Sequence, residues 1–374
     1  MKVGIESINY YVPKYYLDMS TLAEARGVDE AKYKHGIGQH KMAVISPFED
    51  IVTMAVEAAY DMVQPHKDNI DTILFATESA IDFSKAAGNY VHRLLGLSPS
   101  VRILELKQAC YAATGALQLA CDYVRMQPNK KVLVLSSDIA WYGFESAGES
   151  TQGAGAIAML VSSDPKVAVV NRGQFTTEEL PDFYRPSYQE VPTVDGRLSI
   201  QCYNDMLQRV DPNKSFAYTC FHMPFAKMAN KANRVYSRPQ TEEQLSIVKY
   251  FTQEVGNIYN GSLFLSLISV LSLSKTSLDN ESIGMFSYGS GAVGEFFSLD
   301  IQPGYEQYIS KDVFLNQLKD RTEINMETYT RFMKQLMEKE KLHQLSEDKD
   351  IHPRMRFVLD DLTNGHRTYK KIAS

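Results

Sequence analysis

The sequence predicts an α/β protein built from two similar halves. Each half shows a buried strand that ends on a polar residue, then a helix rich in small residues, then two more strands. The polar residues are Glu78 and His222, and the helices follow Cys110 and Asn257. The spacings agree, since Cys110 lies about 32 residues after Glu78 and Asn257 about 35 after His222. The repeat predicts a duplicated architecture in which these four side chains converge.

The first half is predicted to run over residues 1–170. Apolar residues recur at helical spacing over 49–63, which predicts an amphipathic helix. Continuous apolar runs over 71–77 and 130–140 are typical of buried strands. Residues 153–170 follow as two strands around an Asp-Pro turn.

The second half is predicted to run over residues 171–374. It repeats the pattern with a strand over 214–222, a helix over 257–275 and strands over 282–291 and 292–301. Residues 171–214 are rich in Pro, Asp and aromatic residues, and we interpret them as an excursion that lines the mouth of the site. The charged segment 327–341 predicts a surface helix for packing or oligomer contact.

Composition indicates a soluble globular protein. Hydrophobic residues make up 44% and charged residues 22%, and the net charge of -6 argues against binding to nucleic acid. No apolar run approaches the roughly 18 residues of a membrane span, and the first residues lack the apolar core of a signal peptide. The spacing of the cysteines does not suit a metal site. We therefore expect a cytoplasmic protein with no nucleic-acid partner, no membrane partner and no metal.

Cys110 is the first candidate for chemistry. It stands in "LELKQACYAATGALQLACDYVR", where a small-residue helix is predicted to begin. The start of a helix favours negative charge and can stabilise a thiolate, which is the reactive form of cysteine. The alternative is a buried structural thiol, which is our interpretation of Cys121 and Cys220.

Glu78 and His222 are candidates for acid and base chemistry. Glu78 closes an apolar strand, where it is either a cap or a general base whose pKa is raised by apolar walls. His222 precedes a helix that Pro224 is predicted to open. Lys227 and Lys231 share a face of that helix, either as a solvated stripe or as a basic ledge for a phosphorylated carrier.

The segment "YGSGAVG" has the spacing of a dinucleotide-binding loop. That motif requires a helix after the glycines, whereas "EFFSLDI" alternates like a strand. We expect these glycines to let backbone N–H groups approach a reacting carbonyl oxygen and form an oxyanion hole.

Taken together, these segments resemble the hydroxymethylglutaryl-CoA synthases, a family of thiolase-fold condensing enzymes, and its bacterial branch in particular. The resemblance covers nearly the whole chain and is weakest after Leu315. Its motifs include "YKHGIGQHKM", "TESAIDFSKAAGNYVH", "ACYAATGAL", "SDIAWYG", "STQGAGAIAML", "DFYRP", "LSIQCY", "FHMPFAKMANKA", "GNIYNGSLFLSL" and "FSYGSGAVGEFFS". It implies a thiolase-like fold with duplicated, layered αβαβα halves.

The resemblance also implies roles. Cys110 matches the acyl-carrying nucleophile, Glu78 the general base and His222 the general acid. Substrate contacts are implied for Thr151, Ser199, Lys227, Lys231, Asn257 and Ser290, and a supporting role for Asp138, Asp182 and Tyr288. The implied partners are acetyl-CoA, acetoacetyl-CoA and a second copy of the chain as a homodimer, with no cofactor. Ser150 stands where many relatives have proline.

Three alternatives remain open from the sequence. The first is a synthase of the same fold that acts on carrier-protein-bound acyl groups in polyketide branching, which Lys227 and Lys231 would serve equally well. The second is a Cys-His hydrolase that has no need of Glu78. The third is an inactive scaffold, against which the full set of Glu78, Cys110, His222 and Asn257 argues.

Overall fold

The computed structural model describes residues 1–337 and 351–372. Strands and helices alternate along the chain. The strands are β1 (Gly4–Tyr11), β2 (Tyr15–Asp18), β3 (Lys41–Val44), β4 (Ile70–Ala76), β5 (Arg102–Leu106), β6 (Lys131–Ile139), β7 (Ala154–Ser162), β8 (Ala168–Thr177), β9 (Phe183–Tyr184), β10 (Thr193–Val194), β11 (Tyr218–Phe221), β12 (Ser282–Gly289), β13 (Val293–Ile301), β14 (Thr322–Glu323), β15 (Phe357–Thr363) and β16 (His366–Lys371).

The α-helices are α1 (Met19–Ala25), α2 (Ile51–Val63), α3 (Gly88–Leu95), α4 (Ala112–Met126), α5 (Gly196–Val210), α6 (Lys227–Val235), α7 (Glu242–Val255), α8 (Ser262–Leu273), α9 (Lys311–Lys319) and α10 (Met326–Met337). A π-helical turn covers Lys32–Ile37. Short 3-10 helices cover Gln64–His66, Glu149–Thr151, Tyr259–Gly261 and Tyr305–Tyr308. Within the described ranges, no helix combines the length and the apolar character that crossing a bilayer requires.

The main sheet contains the same pairing pattern twice. Its nine strands lie in the order β11-β12-β13-β8-β1-β7-β6-β4-β5. On one side of the sheet, β1 pairs antiparallel with β7, β7 pairs antiparallel with β6, and β6 pairs parallel with β4. On the other side, β8 pairs antiparallel with β13, β13 pairs antiparallel with β12, and β12 pairs parallel with β11. The predicted division at residue 170 falls inside β8, whose first residues pair with β1.

Helices cover both faces of the first-half strands. In β4, Ile73 and Phe75 belong to a core with α2 and α3, whereas Leu74 and Ala76 belong to a second core with α4. The residues of β4 alternate between the two cores because successive side chains of a strand point to opposite faces of the sheet. β4 is therefore buried on both sides, as its continuous apolar run predicts.

The second-half strands lie between α8 and α5. Helix α8 is buried from Ser262 to Ser272 and shares one core with α4. On the opposite face α5 packs closely on β13, since a Cβ added at Gly294 would lie 2.9 Å from Cβ of Met206. The order of layers is thus α2 and α3, first-half strands, α4 and α8, second-half strands, and α5.

Two sequence predictions need correction. The segment 171–214 is not a loop excursion throughout, because it contains the end of β8, the β9–β10 pair and the long helix α5. Helix α6 begins at Lys227, so Pro224 precedes the helix and does not form its first turn. The helix predicted over 49–63 is observed as α2 from Ile51, with Asp50 as its N-cap.

The C-terminal segment packs against the first half. The predicted surface helix is observed as α10, which buries Tyr329, Phe332 and Met333, and residues 338–341 of that prediction lie outside the described part. The β15–β16 hairpin is fixed to α2, since Arg367 and Tyr369 both donate hydrogen bonds to Oδ2 of Asp50, at 3.1 and 2.7 Å.

Candidate active site

Cys110 lies in a tight turn between β5 and α4. Its φ is +57°, a left-handed conformation that is uncommon for a residue with a side chain and that concentrates at functional sites. The N–H groups of Tyr111 and Ala112 donate to the carbonyl of Gln108 at 3.1 and 3.0 Å and close the turn. The first helical residue is Ala112, so Cys110 precedes the helix by two positions.

The end of β12 packs directly on this turn. A Cβ added at Gly289 would lie 2.3 Å from the carbonyl oxygen of Ala109 and 2.5 Å from Cβ of Tyr111. Only glycine fits at such a close approach of two backbones. Gln108 then donates from Nε2 to the carbonyl of Ser290 at 2.8 Å. The glycine-rich loop of the second half is therefore held against the cysteine of the first.

Glu78 provides the carboxylate nearest to the thiol. Cys110 Sγ donates to Glu78 Oε1 at 3.7 Å. The other oxygen, Oε2, is buried and has no hydrogen-bond partner within the described residues. Burial, followed by the charge of Asp138, raises the pKa of Glu78 to about 8, against the opposing charge of Arg185. A carboxylate with this pKa can accept a proton near neutral pH and hold it.

The thiol of Cys110 is protonated in this arrangement. Burial, followed by the charges of Glu78 and Asp138, raises its pKa well above the ordinary value. The expected stabilisation of a thiolate by the helix is outweighed, because the helix begins two residues later and carboxylates face the sulfur. Activation of the sulfur therefore requires Glu78 to take its proton.

Asp138 connects Glu78 to the second half. This buried carboxylate lies near the end of β6, and burial raises its pKa. Its Oδ1 accepts hydrogen bonds from the N–H groups of Glu78 and Ser79 at 2.9 and 3.1 Å and from the hydroxyls of Thr77 and Ser79. Its Oδ2 accepts from both nitrogens of Asn260, at 3.2 and 2.9 Å.

His222 follows β11 and is buried. Its N–H donates to the carbonyl of Phe286 at 2.8 Å, and its own carbonyl accepts from the hydroxyl of Tyr203 at 2.9 Å. Among the residues the structure describes, none is a hydrogen-bond partner of its Nδ1. Burial lowers the pKa of His222 to about 3, so the imidazole is neutral near pH 7. It offers a neutral N–H donor and not an imidazolium.

A cavity of about 550 Å³ opens beside Glu78. This volume lies in the range of small-molecule sites. Glu78 and Ser290 line the cavity, whereas the other predicted site residues do not form part of its wall. The rest of the wall is largely aromatic and loop backbone, and it includes Trp141, Phe183, Tyr184, Tyr259 and Gly291. The segment predicted to line the mouth of the site thus contributes part of the wall.

Comparison with known proteins identifies the family. The models for the N-terminal and C-terminal regions of hydroxymethylglutaryl-coenzyme A synthase match residues 1–166 and 231–370. The hydroxymethylglutaryl-CoA synthase of Enterococcus faecalis is 39% identical over 99% of this chain and 100% of its own length. The chain belongs to the hydroxymethylglutaryl-CoA synthase family.

Two further relatives bear on fold and substrate. A solved HMG-CoA synthase complexed with CoA superimposes with a TM-score of 0.91, at 36% identity and full coverage of both chains. The thiolase-like fold expected from the resemblance is therefore confirmed. The polyketide 3-hydroxy-3-methylglutaryl-ACP synthase of Bacillus subtilis is 29% identical over the full length of both chains.

Asn257 makes four hydrogen bonds, one of them to the backbone of Thr151. Its N–H donates to the carbonyl of Thr151 at 3.0 Å, and its Oδ1 accepts from the N–H of Tyr259 and the hydroxyl of Ser262, both at 2.9 Å. Its Nδ2 donates to the hydroxyl of Tyr142 at 3.1 Å. The repeat predicts that Asn257 opens a helix. The structure instead places it before the short 3-10 helix that begins at Tyr259, with α8 beginning at Ser262.

Tyr142 is hydrogen-bonded to Asn257 and is influenced by the charges of Cys110 and Glu78. Burial, followed by the charges of Cys110 and Glu78, raises the pKa of its phenol above the ordinary range. This mutual influence places the phenol within electrostatic range of both catalytic candidates. The predicted binding residues Thr151 and Asn257 are thus connected through Tyr142 to the cysteine side of the site.

Asp182 fixes the loop that carries Ser290. Its Oδ2 accepts from the hydroxyl of Tyr288 at 2.7 Å, and its Oδ1 accepts from the N–H of Gly291 at 2.8 Å. That N–H is engaged and is not free to serve as one of the oxyanion donors predicted in the glycine loop. Asp182 and Tyr288 therefore support the loop, as the resemblance implies.

The predicted basic residues Lys227 and Lys231 both lie on α6. Lys227 is its first residue, and Nζ of Lys231 lies 5.4 Å from the centroid of the Phe225 ring. Nζ of Lys249 donates a hydrogen bond of 3.0 Å to Oδ1 of Asn230 on α6, so a third basic residue contacts this helix. Ser199 lies in the first turn of α5.

Sequence reasoning gave no role to Arg185, Tyr142, Asn260, Lys249 or Glu295. Arg185 and Tyr142 stand in "DFYRP" and "SDIAWYG", two of the segments that carry the resemblance, so a signal was present. Asn260 and Glu295 likewise stand in "GNIYNGSLFLSL" and "FSYGSGAVGEFFS", whereas Lys249 lies outside every segment that carries the resemblance.

Proposed function

We propose that this chain condenses acetyl-CoA with acetoacetyl-CoA and water to give hydroxymethylglutaryl-CoA and CoA, through an acetyl-Cys110 thioester. One observation carries the proposal: in a member of this family, Sγ of Cys110 lies 3.7 Å from Oε1 of Glu78. That contact joins a nucleophile to a base whose raised pKa suits proton transfer near neutral pH.

The first step transfers the acetyl group. Glu78 takes the thiol proton, the sulfur of Cys110 attacks the carbonyl carbon of acetyl-CoA, and the bond to the CoA sulfur breaks. The departing thiolate receives the proton from Glu78 and leaves as CoA. A covalent intermediate divides one difficult reaction into easier steps.

The second step makes the new carbon–carbon bond. Glu78, again ionised, removes a proton from the acetyl methyl group, and backbone N–H donors near Cys110 and Ser290 stabilise the enolate oxygen. The enolate carbon attacks the ketone of acetoacetyl-CoA. His222 donates its N–H to the developing alkoxide and transfers that proton as the product hydroxyl forms, and the proton that Glu78 took from the methyl group then passes through water to the histidine, which leaves Glu78 ionised. The neutral form of His222 at pH 7 suits this role, because the proton is given up only to a strongly basic oxygen.

The last step is hydrolysis. Water attacks the thioester carbonyl at Cys110, the carbon–sulfur bond breaks, and the product leaves with a free carboxylate. One proton of the water returns to the sulfur, the other is released to solvent, and the cycle can restart. We place the ionised Glu78 nearest to the new carboxylate, where like-charge repulsion favours product release.

The remaining predicted residues bind substrate in this proposal. Lys227 and Lys231 attract the phosphates of CoA, and Lys249, which contacts α6, adds a third charge. Asn257 and Ser290 hold the acyl group of the acceptor, and Thr151 and Ser199 make further contacts. The proposed reaction consumes only the two CoA thioesters and water, so no cofactor is required. We place the activity in the mevalonate pathway of isoprenoid synthesis and in the cytoplasm.

A homodimer is part of the proposal. Among the described strands, β5 pairs only with β4 in the main sheet and leaves an edge free. Leu104 on that strand is 50% exposed, and Leu119 and Met126 are exposed on the neighbouring helix α4. Exposed edges with apolar side chains are usually covered by another chain. Light scattering at micromolar concentration should give the mass of a dimer, and Leu104→Lys should shift it toward the monomer.

The decisive test is mass spectrometry of the intact protein after brief exposure to acetyl-CoA. Wild type should gain one acetyl group, Cys110→Ser should gain none, and Cys220→Ala, at a buried thiol, should behave as wild type. An acetyl group on Cys121 or Cys220 would contradict the proposal. Uptake from an acetylated carrier protein and none from acetyl-CoA would instead favour the polyketide-type synthase.

A hydrolase and an inactive scaffold would give different results in the same assay. A Cys-His hydrolase would release acetate steadily without acetoacetyl-CoA and would keep that activity in Glu78→Gln. An inactive scaffold would take up no acetyl group at all. Product formation from both CoA thioesters, lost in Cys110→Ser, would exclude both.

A further inference from the structure

The β9–β10 hairpin forms one side of the cavity. Strands β9 and β10 pair at Phe183 and Val194, and the cavity wall includes Phe183, Tyr184 and Pro192 from this segment. One anchor of the hairpin is Asp182, which is buried and is bound to Tyr288 and to the N–H of Gly291. The hairpin is thus fixed at its start to the loop that carries Ser290.

The second anchor lies on the base itself. Nη2 of Arg185 donates a hydrogen bond of 2.7 Å to the backbone carbonyl of Glu78, 107 residues earlier in the chain. Arg185 and Glu78 both line the cavity. A guanidinium bound to the carbonyl of a residue restricts the backbone that carries its carboxylate, and places a permanent positive charge beside it.

The charged groups around Glu78 come from every neighbouring segment. From β6, the carboxylate of Asp138 opposes ionisation of Glu78, and the thiol of Cys110 hydrogen-bonds its carboxylate. From the other side, Arg185 is the cation that favours ionisation. Lys107 also lines the cavity, but it is not among the groups that influence Glu78 most strongly.

The phenols that face Glu78 do not change this balance. Tyr142 and Tyr259 lie within its electrostatic range, and burial raises the pKa of both phenols above the ordinary range. Both are therefore neutral at the pH of catalysis. The ionisation of Glu78 depends chiefly on burial and Asp138 on one side and Arg185 on the other.

We propose that Arg185 is a positioning residue for Glu78, which fixes the backbone of the base and keeps its carboxylate ionisable near neutral pH. The inference deepens the proposed function and rests on it. Arg185 touches neither the thiol nor the ketone in this assignment. It acts through Glu78, and so its removal should move the pH dependence of the steps in which Glu78 takes a proton.

The test compares Arg185→Gln with Arg185→Lys across pH 6 to 10. We measure the rate of product formation and the exchange of acetyl methyl protons with deuterated solvent. Arg185→Gln keeps a hydrogen-bond donor but loses the charge, so the acid limb of both profiles should move to higher pH. Each unit of upward shift lowers the rate below the pKa about tenfold, and activity should return at high pH. Arg185→Lys should restore most of the wild-type profile.

A matched control removes a positive charge elsewhere. Lys275→Gln acts on an exposed residue paired with Glu243, outside the cavity, and should leave both profiles unchanged. Thermal melting of each variant separates misfolding from a change in catalysis, since a folded Arg185→Gln with a shifted profile supports the inference.

Three outcomes would overturn it. If Arg185→Gln raises KM at every pH and leaves the acid limb in place, the residue binds substrate and does not position the base. If the profile does not change at all, the inference fails while acetylation of wild type leaves the proposed function standing. A wild type that takes up no acetyl group would overturn both.

Discussion

The hydroxyl of Tyr111 donates a hydrogen bond of 2.5 Å to Oε2 of Glu295, and this bond joins the residue after Cys110 to a strand of the second half. Glu295 is almost fully buried in β13. Burial raises its pKa, and the hydrogen bond from Tyr111 opposes that rise. Two contacts from the second half therefore hold the cysteine turn, close packing at Gly289 and the hydrogen bond to Glu295.

We expect Tyr111→Phe to destabilise the fold. The variant leaves a buried carboxylate without its strongest donor, and an unsatisfied buried group costs about 1–3 kcal/mol. Urea unfolding should show this loss, and Glu295→Gln should show a smaller one because the amide can still accept from Tyr111. Effects that add in the double variant to within about 0.5 kcal/mol would argue that the two residues do not interact.

Glu78→Gln should stabilise the protein progressively as the pH rises. The pKa of Glu78 is about 8 in the folded chain against an ordinary 4.5, so between these values the folded state binds more protons than the unfolded state. Wild-type stability therefore falls as the pH rises through this window. The gain in melting temperature of Glu78→Gln should be small near pH 4, grow with pH and level off above about 8.

Glu78→Gln should also lose the condensation activity. Removal of a general base costs about 10²–10⁴ in rate, and exchange of acetyl methyl protons should disappear with it. Asp61→Asn, at an exposed carboxylate paired with Arg356, is a control for both experiments. A Glu78→Gln protein that condenses at nearly the wild-type rate would mean that another group, with Asp182 the next candidate, acts as the base.

His222→Gln should make the stability of the folded protein less sensitive to acid. The pKa of His222 is about 3 in the folded chain against an ordinary 6.5, so the unfolded state binds more protons as the pH falls below 6.5. Wild-type stability is lost in that range, and the difference in melting temperature in favour of His222→Gln should grow from pH 6.5 toward pH 3. A constant difference across this range would show that the histidine is not held neutral.

The kinetic effect of His222→Gln should be separable from that of Glu78→Gln. Acetylation of Cys110 and methyl proton exchange should continue, because they occur on the donor carbon. Turnover of acetoacetyl-CoA should fall by about 10²–10⁴, because the acceptor oxygen loses its proton donor. Loss of acetylation as well would place His222 in the first step.

Changing Lys227 and Lys231 together to Glu should raise KM for the CoA thioesters. Both lysines are on α6, and opposite charge there repels the phosphates. The salt dependence of KM should weaken, since screened attraction has been removed, while kcat changes less. Lys275→Glu, an exposed lysine paired with Glu243, is the matched control. An unchanged KM for both substrates would exclude α6 as the phosphate site.

The buried strands and α2 could be predicted from sequence because their apolar periodicity is strong. Helix α5 was not predicted, although Tyr203, Met206 and Val210 have helical spacing. The neighbouring Pro and Asp residues suggested a loop, and the burial of this face against β13 is a tertiary effect. In the duplicated pattern α5 occupies the position of α2, so the repeat itself contained the missing signal.

The β15–β16 hairpin was also missed, although its turn has a sequence signature. Asn364 and Gly365 both have positive φ, at 50° and 77°, as an Asn-Gly pair in a two-residue hairpin turn requires. At the site, the residue types of Cys110, Glu78 and His222 could be read from the chain. The raised thiol pKa and the contact of Arg185 could not, because both depend on which distant groups fold against Glu78.

The hydrogen bonds of Asp138 carry a consequence for the order in which the protein acquires activity during synthesis. Asn260 follows Asp138 by 122 residues, and a ribosome adds about 5–20 residues per second. Roughly 6 to 24 s therefore pass between the emergence of the two partners. A nascent chain that has already made Cys110 and Glu78 still lacks the second-half donors of this carboxylate. The site around its thiol is therefore incomplete, and acyl transfer becomes possible only late in translation.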